Sequence, residues 1–319
     1  MKKKLSAALL LIILLASCTG NPGTAENDDK ISIVTTTFPI YDWVREITGE
    51  TDIELTLLLD SGTDLHSYEP TVSDITSIAD CDMFIYAGGS SDSWIEDVLK
   101  NNTGDAVNSV SLLELIGDRV KQEEHVEGME QDEQEHGGEP DEHVWLSLKN
   151  AGALCQSLGE RLCLIDSKNA DAIKSNLKEY TEKLELLDGR YEAALADNKH
   201  DTLVFCDRFP FRYLMDDYSL NYFAPFAGCS TETQASFETV AFLSSKVDEL
   251  GLENVMVIET SDESIAKTVI ANTADKNQGI LVLNSMQSVT SDERNAGITY
   301  LSVMEENLNV LSTGLRSRF

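Results

Sequence analysis

The chain carries five histidines, and two of them stand where ligand chemistry is easily arranged. His66 lies in Gly62-Thr63-Asp64-Leu65-His66-Ser67-Tyr68-Glu69-Pro70, on a loop that leaves an apolar run and enters a helix near Thr71. In open α/β sheets, ligands sit beyond the carboxyl ends of strands, where this loop falls. His143 lies in Asp141-Glu142-His143-Val144-Trp145-Leu146, at the junction between an acidic segment and an apolar, strand-like one. Taken singly, each reads first as an ordinary loop histidine. A third feature stands apart. From Glu123 to Glu142, ten of twenty residues are acidic, none is Lys or Arg, and His125 and His136 are interleaved. Such a run cannot bury enough apolar surface to fold alone, which makes it a solvated, mobile loop. Its mixture of imidazole and carboxylate also suits weak capture of a divalent transition metal.

The common enzyme signatures are missing. The chain has no G-x-x-x-x-G-K-[ST] loop, no G-x-S-x-G elbow, no G-x-G-x-x-G fingerprint and no H-E-x-x-H helix. Gly88-Gly89-Ser90-Ser91 is a turn without a lysine to hold a phosphate. The weight shifts from catalysis to binding, and an enzyme is not expected.

The elements that would position these residues follow from the apolar pattern. Ile31 to Val34, Ile53 to Leu59 and Met83 to Ala87 read as strands, with helices around Tyr41 to Ile47 and Asp74 to Ala79. The rhythm returns with strands at Thr202 to Phe205, Asn254 to Ile258 and Ile280 to Leu283, and with helices at Phe237 to Leu250, Glu263 to Ala271 and Gly297 to Leu311. Strands alternating with helices imply βαβ units and mostly parallel sheets, so the fold class is α/β with two lobes. Between them, Ile173, Leu177, Tyr180, Leu184, Leu187, Tyr191 and Leu195 recur at helical spacing, one stripe on a helix from about Lys168 to Asp197. A spine packed along both lobes is preferred over a coiled-coil seam, and its stiffness would limit domain closure.

Of the 319 residues, 24 are Lys or Arg and 56 are Asp or Glu, a net charge of -32. Nucleic-acid binding is therefore not expected, because it needs a basic surface. At 42% hydrophobic and 25% charged the chain is an ordinary globular one. Lys2, Lys3 and Lys4 precede an apolar run from Leu5 to Ala16, too short for a helix to span a bilayer of about 30 Å. It reads as a secretory signal, and its end, Leu15-Ala16-Ser17-Cys18, is similar to a bacterial lipobox in which Cys18 is acylated. Two acyl chains suffice for stable anchoring to a membrane. Thr19 to Lys30 would then be a flexible tether. The remaining five cysteines are odd in number and spread over a long chain, which does not suit a small disulfide scaffold, and most read as buried small hydrophobes.

Together these residues form an ordered pattern: the lipobox, Thr36-Thr37-Phe38-Pro39-Ile40-Tyr41, His66-Ser67-Tyr68-Glu69-Pro70, the acidic loop, and His143-Val144-Trp145-Leu146 followed by Lys149-Asn150-Ala151. The pattern resembles the zinc and manganese substrate-binding lipoproteins of ABC importers, over the whole chain and most strongly before residue 165. The resemblance implies two α/β lobes joined by a long rigid helix, with the metal between them. Its parts would be a signal at 1–17, a lipidated tether at 18–30, a first lobe at 31–166 with the acidic loop at 121–142, a linking helix at 167–198 and a second lobe at 199–319. It also implies a monomeric, extracytoplasmic receptor, anchored at Cys18, that delivers its metal to an ABC permease.

Carried over residue by residue, the family's first two ligand histidines fall on His66 and His143. The third position falls on Cys206 when aligned from the strand, and on Arg208 when aligned from the helix. Arginine cannot ligate; a Cys206 thiolate suits zinc, with Asp207 beside it as a carboxylate donor. A buried Cys206 with Asp207 capping a helix is an equal reading. The fourth position falls on Asn284, with Glu259 in reserve or as a helix cap. Nitrogen ligands favour zinc over manganese, the alternative metal. Whether Cys206 and Cys229 pair is left open. Arg208, Arg212 and Asn284 also admit a receptor for a non-metal ligand. A metal-dependent hydrolase would need Glu259 or Asp207 as general base near an open zinc position.

Overall fold

The structure, a computed structural model, describes residues 30–102, 107–130, 138–196, 198–230 and 234–316. The signal segment, Cys18 and His136 lie outside the described residues. The first half runs β1 (Ser32–Thr35), α1 (Phe38–Thr48), β2 (Glu54–Leu57), α2 (Val72–Asp80), β3 (Met83–Tyr86), α3 (Ser93–Asn102), β4 (Ser109–Ser111), α4 (Leu112–Ile116) and α5 (Leu148–Ile165). Its four strands form one parallel sheet in the order β2-β1-β3-β4. Parallel strands are buried on both faces, which explains why the Met83-Phe84-Ile85 stretch is apolar without alternation.

The helix boundaries have local causes. Pro39 stands in the first turn of α1, where its missing N–H costs no bond, and Gly49 ends the helix at φ 62°. Thr71 and Asp74 cap the start of α2 reciprocally.

The long helix α6 spans Ala170–Leu195, and its buried residues are the seven of the apolar stripe. It packs against α1 and α5 of the first half and, in the second half, against α11 (Tyr300–Gly314). Asn176 donates to the Ile47 carbonyl at one end of the helix, and Tyr191 donates to the Met304 carbonyl at the other. Each large apolar side chain so buried is worth roughly 1.5–3 kcal/mol. The spine is therefore fastened to both halves along its length.

The second half runs β5 (Thr202–Val204), β6 (Arg208–Phe209), α7 (Arg212–Asp217), β7 (Asn221–Phe223), β8 (Phe226–Ala227), α8 (Phe237–Leu250), β9 (Asn254–Ile258), α9 (Ser264–Asn272), β10 (Gly279–Leu283), α10 (Ser291–Asn295) and α11. The pairs β9–β10, β5–β7 and β6–β8 are all parallel. A bridge from Phe205 to Met256 joins β5 to β9.

Two local expectations change. Val144–Leu146 is not strand but a single fully buried 3-10 turn, because Ser147 caps α5 immediately after it and the chain has no room to extend. The acidic segment is not free along its described length. Its two ends are clasped together, Glu123 N–H donating to the Glu139 carbonyl and Asp141 N–H to the Lys121 carbonyl. Its first limb is docked on the second half, where Glu130 N–H reaches the Pro225 carbonyl. Among the described residues no helix is long and apolar enough to cross a membrane.

Candidate metal centre

His66 sits on a one-turn 3-10 helix, Leu65–Ser67, anchored by the buried Leu65. The Asp64 carboxylate caps this turn by accepting the His66 N–H at 3.0 Å. Asp64 is itself held by two bonds from the Arg208 guanidinium, at 2.6 and 3.2 Å. His143 precedes the Val144–Leu146 turn, and Asp141 accepts both its backbone N–H and its ring Nδ1–H at 2.9 Å. Tyr213 fixes that segment from the second half, donating its hydroxyl to the Asp141 carbonyl at 2.8 Å. The two imidazole rings lie 5.4 Å apart, centre to centre.

Glu142, fully buried, places its Oε1 3.4 Å from His66 Nδ1. It accepts the Ser91 N–H at 3.2 Å and the Ser91 hydroxyl. The Ser91 Oγ is also 2.7 Å from His66 Nδ1. A serine hydroxyl has one proton, and the Glu142 carboxylate takes it. The Ser91 oxygen must then accept from His66 Nδ1–H, and Asp141 accepts from His143 Nδ1–H. In the neutral form of each ring this fixes the tautomer whose Nε2 is bare, and both Nε2 atoms are buried without a hydrogen-bond partner. Orphaned buried acceptors of this kind are uncommon in a folded protein.

The fourth member comes from the loop after β8. Cys229 places its thiol 3.7 Å from Glu142 Oε1, and its N–H donates to Glu123 at 2.8 Å. One ligand atom from each of His66, Glu142, His143 and Cys229 falls within 4.8 Å of all the others. Two glycines permit this approach. A Cβ on Gly89, where φ is 95°, would lie 2.5 Å from Glu142 Oε2, and one on Gly228 would lie 3.0 Å from the His143 ring.

The electrostatics follow from burial. Desolvation, with the nearby His143 adding to it, pushes His66 down to about 3, so its ring is neutral at any ordinary pH. Burial pushes the Glu142 carboxyl up. The Cys229 thiol is raised by burial and then by the carboxylates of Glu142, Glu123 and Asp141. Burial opposes the charged His143 ring, but the carboxylates of Asp141, Glu142 and Glu123 outweigh it and raise that ring, so a divalent cation bound there would displace a proton held by these acids and complete the site.

The other expected ligands stand outside this cluster, although Cys206 and Asp207 line a cavity with His66. Cys206 is buried among Val204, Leu243 and Val257, its N–H closing the β5–β9 junction on the Met256 carbonyl. Burial in that apolar setting raises its thiol, which opposes the thiolate form a metal needs. Asp207 accepts the Arg208 N–H at 2.8 Å and bonds Ser261. It lines a cavity of about 380 Å³ beside His66. Glu259 braces the loop after β10, accepting from Ser285 N–H, Ser285 Oγ–H and Gln287 N–H. Asn284 folds back onto the Met286 N–H. Cys206 and Cys229 are both free thiols. The sequence pattern shows Glu142 as one more acid of the loop, and Cys229 as one of the small buried cysteines or a possible partner of Cys206.

Residues 33–314 match the family described as ZnuA, zinc-uptake complex component A, periplasmic. The chain is 30% identical over 324 residues to the zinc-binding protein AdcA of Streptococcus pyogenes, covering 98% of this chain and 61% of that protein. It thus spans about three-fifths of the length of that relative. It is 28% identical over 313 residues to the high-affinity zinc uptake system protein ZnuA of Bacillus subtilis, covering 97% of this chain and 95% of that one. Among solved structures it is similar to the Zn(II)-bound ZnuA-like domain of Streptococcus pneumoniae AdcA, with a TM-score of 0.71 and 27% identity over 90% of this chain and all of that domain.

Proposed function

The chain belongs to the zinc-uptake complex component A family, and from that premise we propose that it is an extracytoplasmic receptor that captures zinc at His66 and His143 for an ABC importer. The observation that carries the reading is the pair of buried imidazoles whose Nε2 atoms have no partner while both Nδ1 atoms are committed. Metal-binding histidines are oriented in this way, by an oxygen on the far ring nitrogen. Nitrogen donors favour zinc over manganese. The relatives named for zinc support the same choice.

Acylation at Cys18 would hold the receptor at the membrane, beside the permease that takes its metal. Arg208, which admitted a non-metal ligand, is committed to Asp64. Glu259, a candidate general base for hydrolysis, is committed to Ser285 and Gln287. A monomer is sufficient, since one chain brings the histidines together.

Calorimetric titration of the chelator-stripped protein with zinc tests the reading. Tight one-to-one binding is expected, weakened by on the order of 100-fold or more in His66→Ala, beyond the 10–100-fold typical of losing a group that merely supports a ligand. Equally tight binding by the variant would overturn it.

A further inference from the structure

We infer that the zinc is closed by the Glu142 carboxylate and the Cys229 thiolate, giving a two-nitrogen, one-oxygen, one-sulfur site that discriminates against manganese. The inference rests on the receptor reading and adds the second half's ligand and the basis of selectivity.

The geometry is close to what the ion requires. Zinc with four ligands at about 2.0–2.3 Å needs ligand atoms roughly 3.3–3.7 Å apart. The four ligand atoms here already lie within 4.8 Å of one another, so side-chain adjustments of about an ångström complete the shell. Charge points the same way. Two neutral imidazoles with one carboxylate and one thiolate carry two negative charges, which balance a divalent ion in a buried place.

Backbone placement is equally specific. Glu123 holds the Cys229 N–H, and Gly228 lets that loop lie against the His143 ring. The competing thiol, Cys206, lines the cavity beside His66 but packs into the apolar core and stands outside the four-residue cluster. Thiolate sulfur suits zinc and cobalt, whereas manganese prefers carboxylate, carbonyl and water oxygen. The site would therefore reject manganese through Cys229 rather than through its size.

Cobalt(II) is the probe for sulfur in the shell. The stripped full chain loaded with cobalt should show a thiolate-to-cobalt charge-transfer absorption in the near ultraviolet, bleached when zinc is added. The band should persist in Cys206→Ala and vanish in Cys229→Ser. Cys229→Asp keeps the negative charge without sulfur, so its zinc-to-manganese affinity ratio should fall at least tenfold. Absence of the band in the unaltered chain overturns the inference without requiring any variant to fold. Survival of the band in Cys229→Ser, its loss in Cys206→Ala, or an unchanged metal ratio in Cys229→Asp would do the same. Should those results come with tight zinc binding that His66→Ala abolishes, the receptor reading stands and only the sulfur ligand falls. Failure of the unaltered chain to bind zinc would remove both.

Discussion

The two halves of the protein face the same site with different means. The first half presents His66, Glu142 and His143, each fixed by oxygen atoms of its own half: Asp64, Ser91 and Asp141. The second half presents Cys229 on a loop tied to Glu123, with Tyr213 and Arg208 gripping the segments that carry the histidines. One side is therefore preformed by its own contacts. The other supplies a single donor and the clamps that hold the first side in place. A site built this way does not need wide lobe motion to form, and the spine α6, fastened at both ends, opposes such motion.

This contrast can be strained first at the seam remote from the site. Asp42 on α1 accepts the Tyr300 N–H of α11 at 2.7 Å and pairs with Arg45 at 2.5 Å. Burial raises its carboxyl from 3.8 to about 6, against the opposing pull of Arg45 and the Tyr300 N–H. A raised folded-state value stabilises the fold fully below about 3.8, and that contribution is lost as pH climbs through 6. Between pH 4 and 7 the native protein should therefore lose stability relative to Asp42→Asn, by up to about 3 kcal/mol at 1.4 kcal/mol per unit. Urea unfolding of both proteins across that range measures the divergence; parallel curves would show the seam carboxyl to be solvated.

The preformed side is sharpened by Ser91→Ala, which removes the hydroxyl shared by His66 and Glu142. Zinc affinity should drop ten- to hundredfold, the range for losing a group that orients a ligand. Competition with a chelating dye reads this directly. An unchanged affinity would mean that the Asp64 cap alone aims His66.

The clamp is weaker. Arg208→Met leaves Asp64 without its guanidinium in a setting about 16% exposed. Unfolding free energy of the metal-free protein should fall by about 2 kcal/mol, between the exposed and fully buried cases. A loss near zero would show the second half to be a passive partner.

How much of this was legible depends on the range of the interaction involved. The α6 stripe was readable because helical periodicity is local, and α8 ends at the predicted Leu250 because Gly251 takes the left-handed cap. The long α5 went unread, since Leu148, Ala151, Leu154, Leu158 and Leu162 are interrupted by glycines and polar residues that weaken the pattern. His66 and His143 were carried by motif resemblance. Ser91 was visible only as part of a glycine turn, and nothing near it in the chain announces Glu142, 51 residues away. The Cys229 thiol meets Glu142 across 87 residues, and Asp64 meets Arg208 across 144.

By itself, then, the sequence determined the α/β alternation, the spine and the two histidine loops, because each is written in spacings of a few residues. Tertiary structure alone decided which cysteine lies in the core and which beside the histidines. It also decided that Glu142 turns inward and that Asp207 and Glu259 serve other loops. The physical reason is that a buried donor's fate depends on which partners the packed chain brings within bonding distance, and those partners lie far away along the backbone.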